Sequence, residues 1–395
     1  MDIEIQIPES ASFIINELMK NGFAAFVVGG CVRDSILGIE PKDWDICTSA
    51  NPEQTMRVFK GLHIIETGLK HGTVTIMIYG EPFEVTTFRV DGNYSDGRRP
   101  DSVSFVTDIR KDLARRDFTI NAMAYNNSEG LVDPFDGLSD LHNRVIRGVG
   151  NADDRIKEDA LRMMRALRFS ARFGFTISPV TIDAIFDNAA AISHVSAERF
   201  SSELTKILMS DHPEILNSHC ATELLKNFIP GFFKCDTWNI NDRLKKDICT
   251  RLAFFFGGFS DIEKVLRFLK FDNDTISDAV KIHTLVNNYE MKSEAILMRR
   301  LISKFGFYVV KCALSIYGVR GNSNYQMYEL VAKIKHDGDC VSLSQLAING
   351  DDVSGVGYEG AHIGQILRNA LSAVIVDPSL NTYKTLMGML KEYKI

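Results

Sequence analysis

Two aspartates one residue apart, Asp43 and Asp45 in "KDWDIC", are the residues of this chain best suited to do chemistry. In an extended segment alternate side chains point the same way, so both carboxylates face one side. Paired carboxylates repel each other and attract hard divalent cations, above all Mg²⁺, which takes oxygen ligands and keeps several waters. Two such ions about 3.5–4 Å apart can clamp the attacking and leaving oxygens of a phosphoryl transfer. A third acid on a neighbouring strand would complete the set. Glu84 in "PFEVTTFR" fits, because strand alternation places it opposite in phase to Phe83 and Val85.

Upstream, "FAAFVVGGCVRDSIL" reads as a buried strand, a glycine pair and a short helix. Gly29 and Gly30 would leave backbone N–H groups at a positive helix end, a cradle for phosphate, and Arg33 could add a charged fork. A glycine pair alone is equally explained by a tight turn.

The elements that must position these groups follow from periodicity. A leading helix spans 7–21 with Pro8 in its first turn, a strand holds "WDIC", and a helix covers about 52–60. "GTVTIMIYG" and "PFEVTTFRV" are two strands joined by a turn at Gly80–Glu81. After "RVIRGVG" helical periodicity dominates, as in "LRMMRALRFSARF", "SSELTKILMS", "IEKVLRFLKF" and "AHIGQILRNALSAVIV". The chain is therefore a multidomain α+β protein: an α/β head with a small mixed sheet, then an all-α remainder.

The 395 residues, 45% hydrophobic and 24% charged, suit two or three globular cores. No apolar run approaches the roughly 20 residues that span a bilayer, and "MDIEIQIPES" carries no signal-peptide pattern. Seven scattered cysteines without a CxxC pair fit reduced thiols in a cytoplasm and give no zinc site. The net charge of −6 argues against a nucleic-acid partner on its face. Binding depends on where positive charge lies, however, and arginines are dense from Arg89 to Arg172, with acids about as common.

"GGCVRD…DWDI" resembles the signature of the nucleotidyltransferase superfamily, specifically class II tRNA nucleotidyltransferases (CCA-adding enzymes) and bacterial poly(A) polymerases. "RRDFTINAMAY", "DPFDGLSDL", "EDALRMMRALRF" and "SAERFSSELTKIL" follow in the family's order. The resemblance implies a catalytic head over 1–148, a helical neck with base recognition over 149–210, and a tRNA-binding body and tail over 211–395. It implies transfer of CMP and AMP from CTP and ATP to the tRNA 3′ end, with Mg²⁺ held by Asp43 and Asp45. The acceptor and elbow of tRNA are the expected partner surface, with neither DNA nor membrane involved.

By the same resemblance Gly30 and Arg33 lie at the triphosphate and Arg116 at the sugar or phosphates. Asp117 and Asn121 would bind the ribose 2′-hydroxyl, although Asp117 also suits a helix-capping role. Asp159 and Arg162 would form a protein template. Their plainer reading is a surface ion pair worth about 0.3–0.5 kcal/mol. Arg165 and Arg168 fall near the phosphates or the templating network.

Within the family, "RVDGNYSDGRRPDSVSFV" resembles the loop that CC-adding enzymes lack, while an A-adding specialist keeps it. The C-terminus "KEYKI" lacks a poly(A) polymerase's basic extension. A catalytically dead RNA-binding homologue would be expected to lose Asp43, Asp45, Arg116, Asp159 and Arg162, all of which are present. "HD" at His336–Asp337 stands alone, without the further His/Asp set of a phosphohydrolase, and reads as a turn.

Overall fold

A computed structural model describes residues 3–92, 102–233 and 244–392. The chain forms two compact units, Met1–Lys234 and Cys235–Ile395.

The first unit is built on a seven-stranded sheet. Its strands are β1 (Ala25–Val28), β2 (Ile46–Thr48), β3 (His63–Ile65), β4 (Thr73–Ile78) and β5 (Glu81–Thr87). A separate two-stranded ribbon, β6 (Arg89–Asp91) and β7 (Val103–Phe105), precedes the last two, β8 (Ala124–Asn126) and β9 (Gly130–Val132). The order is β3-β4-β5-β2-β1-β8-β9, and β2 with β5 is the parallel pair in an otherwise antiparallel sheet. That pairing brings the segment carrying the paired aspartates beside the strand carrying Glu84. Every residue of β1 is buried, as its unbroken apolar run requires.

Helix α1 (Glu9–Lys20) buries Ala11, Ile14, Ile15 and Leu18; it starts two residues later than the sequence suggested because Pro8 is its N-cap. Helix α2 (Gly30–Ile36) follows the glycine pair. Helix α3 (Pro52–Val58) opens with a capping box between Asn51 and Gln54. The β4–β5 turn falls on Tyr79–Gly80, one residue earlier than expected, and both residues have positive φ, 52° and 88°. Two left-handed residues match the twist of a tight hairpin, and Glu81 thereby becomes a strand residue.

Helix α4 (Ile109–Ala114) and α5 (Gly137–His142) close the head. The helices that follow in this unit are α6 (Ala152–Glu158), α7 (Leu161–Phe173), α8 (Pro179–Asp187), α9 (Ala197–Leu208) and α10 (His219–Phe228). Packing groups α10 with this unit, where Phe228 stacks on Phe200 at 3.8 Å between ring centroids.

Every regular element among the described residues of the second unit is a helix. Its C-terminal part has its own core, including Ile348, Val353, Ala370, Val374, Leu386 and Leu390. One helix here, Ala295–Val319, is long and apolar enough to cross a membrane, where the sequence showed no such run. It is two helices joined through Gly306, whose φ of 84° and ψ of 159° are not helical. Half of its apolar stretch is buried in the protein, and it carries Arg299, Arg300, Lys304 and Lys311. These are the marks of a core helix, and the charges are what broke the run in the sequence. His336 ends the helix Tyr325–His336, and its imidazole pairs with the adjacent Asp337 at 3.1 Å. The six described cysteines are free and buried.

Candidate active site

Asp43 and Asp45 lie immediately before β2 rather than within it. Backbone pairing still holds the segment, because the N–H of Val28 donates to the carbonyl of Asp45 at 3.0 Å. Ile46 pairs with Val85 in the parallel register, so Asp45 falls level with Glu84. All three acids are exposed, and none has an ion-pair partner among the described residues. Although the side chain of Asp45 reaches solvent, protein crowds its carboxyl and pushes it up to about 6. Asp43 and Glu84 add their repulsion, while Arg116 opposes it. Among the described residues no three His, Cys, Asp or Glu side chains converge tightly enough to cage a metal.

Arg116 reaches this acidic end across the glycine turn. Gly29 has φ of 78°, and a Cβ added there would lie 2.7 Å from Nη1 of Arg116. Both a left-handed backbone and a close approach therefore require glycine at this position. Behind Arg116 stands Asp112, 1% exposed, whose Oδ2 lies 3.6 Å from Nη2 of Arg116 and whose Oδ1 accepts from Arg115 at 2.9 and 3.0 Å. Asp112 escaped the sequence reading because an acid in "RKDLARR" looks like a solvated helix face.

Arg33 does not extend freely toward a ligand. It is 4% exposed, and its guanidinium is held by Asp34 at 2.7 and 2.8 Å and donates to Oδ1 of Asn121. The rings of Phe169 and Phe173 lie 5.3 and 5.0 Å from it. Gly30 is less confined, and the closest atom to a Cβ there would be Nη2 of Arg33 at 3.7 Å.

Asp117 and Asn121 occupy the next layer. One Asp117 oxygen accepts from the N–H of Phe118 at 2.8 Å and from Asn121 at 3.0 Å; the other accepts from Nε and Nη2 of Arg165 at 2.8 and 2.5 Å. Four donors fill the acceptor capacity of a carboxylate, so the ribose contact expected of Asp117 meets a group already saturated. Burial works against ionisation, but Arg165 and Asn121 hold the carboxyl well below the usual range. Asp117→Ala is expected to cost about 3–5 kcal/mol in urea unfolding, because Arg165 is left uncompensated. The folded pKa being depressed, this stabilisation is present above the unfolded value near 4 and is lost as pH falls below it.

The segment "EDALRMMRALRF" is not one helix. Asp159, with φ of −147° and ψ of 104°, is an extended joint between α6 and α7. Its Oδ1 accepts from the N–H of Leu161 at 3.1 Å and so caps the second helix. That role explains the break. Asp159 and Arg162 do not form the surface ion pair of the plainer reading. Asp159 pairs through Oδ2 with Arg199 at 2.7 Å, whereas Arg162 donates to Glu158, to the carbonyl of Arg155 at 2.8 Å and to that of Arg115 at 3.0 Å.

Arg168 pairs with buried Glu203 at 2.5 Å, and its guanidinium lies 4.0 Å from the ring centre of Phe169. Arg165 flanks the same ring at 5.5 Å. Phe169, 3% exposed, thus sets the spacing of Arg33, Arg165 and Arg168. Arg199, Glu203 and Phe169 were missed individually, although all three lie inside motifs the sequence displays. Residues 93–101 of the loop between "FRV" and "SVSFV" lie outside the described residues.

A mixed sheet presenting unpaired acids beside a glycine turn, backed by an arginine-lined helix, defines a nucleotidyltransferase head. Residues 25–147 match the family described as Poly A polymerase head domain, and 174–235 match that described as Probable RNA and SrmB- binding site of polymerase A. The CCA-adding enzyme of Leuconostoc mesenteroides is 34% identical over 408 residues, covering 98% of both chains. That of Oceanobacillus iheyensis is 37% identical over 328 residues, covering 82% of this chain and 75% of the relative. A solved structure of the Bacillus stearothermophilus CCA-adding enzyme in complex with CTP superposes with a TM-score of 0.84 at 31% identity, covering 98% of each chain. The chain belongs to the CCA-adding enzyme family of tRNA nucleotidyltransferases.

Proposed function

We propose that this protein adds C, C and A in turn to the 3′ end of tRNA, using CTP and ATP, releasing pyrophosphate and copying no nucleic-acid template. The observation that carries the reading is the gathering of Asp43, Asp45 and Glu84, exposed and without ion-pair partners, beside Arg116. The relative solved with CTP supports the choice of nucleotide. The cytoplasm, where tRNA is matured, is the expected place of work.

The acids fit a pair of Mg²⁺ ions. They offer only oxygen, and a divalent cation would relieve the crowding that raises Asp45. Asp43 and Asp45 would hold the ions, with Glu84 beside them and water or phosphate filling the remaining positions. When bound, the ions supply neutralisation of the triphosphate and a more acidic 3′-hydroxyl. Arg116 adds the guanidinium that reaches the phosphates. Gly30 leaves room for their approach, and Arg33 acts from behind the turn by fixing Asn121. Asn121, with one amide hydrogen uncommitted, is better placed than Asp117 to meet the ribose 2′-hydroxyl.

Asp159 and Arg162 select the base. Cytosine and adenine each present an amino donor beside a ring-nitrogen acceptor. A carboxylate accepting from the first and a guanidinium donating to the second fit both. Asp159 carries one hydrogen bond on each oxygen and keeps lone pairs free, and Arg162 has no partner for Nε among the described residues. Arg165 and Arg168 hold the pocket through Asp117, Phe169 and Glu203. The division into head (1–148), neck (149–210) and tRNA-binding body and tail (211–395) is part of the same proposal.

The test is a tRNA transcript lacking its last three nucleotides, incubated with labelled CTP and then ATP, with and without EDTA. Two C additions followed by one A, lost with EDTA, are expected. C alone selects the CC-adding specialist, A only on a transcript ending in CC selects the A-adding one, and long A tails select poly(A) polymerase. No incorporation with Mg²⁺ selects the inactive homologue.

A further inference from the structure

We propose that Arg199 is the positioning residue that sets base discrimination, by fixing the carboxylate of Asp159 in the orientation a cytosine or adenine amino group requires. The inference rests on the template reading above and assigns it a partner on a different helix.

The backbone of Asp159 leaves its carboxylate free to turn. It is an extended joint between two helices, whose carbonyl accepts from the N–H of Arg162 at 2.9 Å. One oxygen is tied to the N–H of Leu161, which leaves rotation about that bond to be stopped by something else. Nη2 of Arg199, 2.7 Å from the second oxygen, is that stop. The contact is charge-assisted and partly sheltered, with the two side chains 22% and 15% exposed.

Arg199 is itself held. The next residue, Phe200, is fully buried and stacks on Phe228, which anchors this part of α9. Four residues further on, on the same helix face, Glu203 pairs with Arg168 of α7. Helix α9 thus presents a cation to Asp159 and an anion to Arg168, so one rigid element grips the recognition segment at both ends. A carboxylate gripped this way accepts from an amino group, while a base presenting an acceptor there meets lone pair against lone pair. Released from Arg199, the Asp159 carboxylate can turn aside and soften that rejection.

The test compares CTP and UTP as substrates for tRNA lacking CCA, using wild-type protein and the variants R199A, R199Q, R199K and D159A. R199A is expected to lose about tenfold in the kcat/KM preference for CTP over UTP. Most of the loss should appear in KM for CTP, and R199K should recover a large part. Folding is checked by circular dichroism and melting, and R199Q is read by the same rule if R199A does not fold. A folded R199A or R199Q that keeps the wild-type preference, while D159A loses it, overturns the role of Arg199 alone. A D159A variant that keeps the preference overturns the template reading and this inference with it.

Discussion

Asp45→Asn is expected to lower CMP incorporation by about 10²–10³-fold or more while making the protein more stable above pH 6. The two effects have one cause. Protein packed around the Asp45 carboxyl, with the repulsion of Asp43 and Glu84, raises it to about 6, and Arg116 offsets only part of this. Such an arrangement serves a site that must receive cations and a polyphosphate, and removing one charge removes a ligand and part of the electrostatic complement.

The same raised pKa makes the empty site a stability liability. The folded state binds the proton more tightly than the unfolded chain, whose value lies near 3.8. Below that value both states are protonated and the penalty is absent; it grows through the interval and is complete above about 6. With solvent screening allowed for, the asparagine variant should gain about 1 kcal/mol above pH 6. Urea unfolding of the metal-free protein at pH 3.5 and 7.5, beside an incorporation assay, checks both halves. A gain that is equal at the two pH values would count against the crowding, and full turnover would remove Asp45 from the metal site.

Asp159→Ala is expected to reduce the preference for CTP and ATP over UTP and GTP by about 10²-fold. Uracil and guanine present an acceptor where cytosine and adenine present an amino donor. In the wild-type site that acceptor faces a carboxylate, and the buried mismatch is what makes rejection strong. Alanine removes that clash, and Arg162 can then donate to O4 of uracil or O6 of guanine in place of a ring nitrogen. Arg162→Ala should weaken CTP and ATP binding as well, since its fork loses the ring-nitrogen contact and Glu158 keeps only Arg155 of its two arginine partners. Competition assays with all four nucleotides, measured as kcat/KM ratios, read the effect. An unchanged ratio in Asp159→Ala would remove the carboxylate from base choice.

Much of this was legible in the sequence. The strand, glycine pair and helix at 25–36 follow from an apolar run and a turn residue, and α7, α9 and the later helices follow from their 3.6-residue periodicity. Glu84 was placed correctly relative to its strand because alternation on a half-buried strand is a local signal. Other features depend on the third dimension. The apparent continuity of "EDALRMMRALRF" hid the joint at Asp159, since only the side chain capping Leu161 reveals the break. Arg33 looked like a free phosphate ligand, yet its partners Asn121, Phe169 and Phe173 lie roughly ninety or more residues away in the chain. Asp112 and Glu203 read as ordinary helix acids because burial cannot be seen from one helix alone.

The central claim is that a site built from protein alone dictates a finite sequence of three nucleotides. Its most direct test supplies tRNA lacking CCA with all four nucleoside triphosphates and Mg²⁺ together and reads the product 3′ ends at nucleotide resolution. A single product ending in CCA, with no further extension and no U or G, is the expected result. Heterogeneous ends, or extension that runs past the first A, would contradict it.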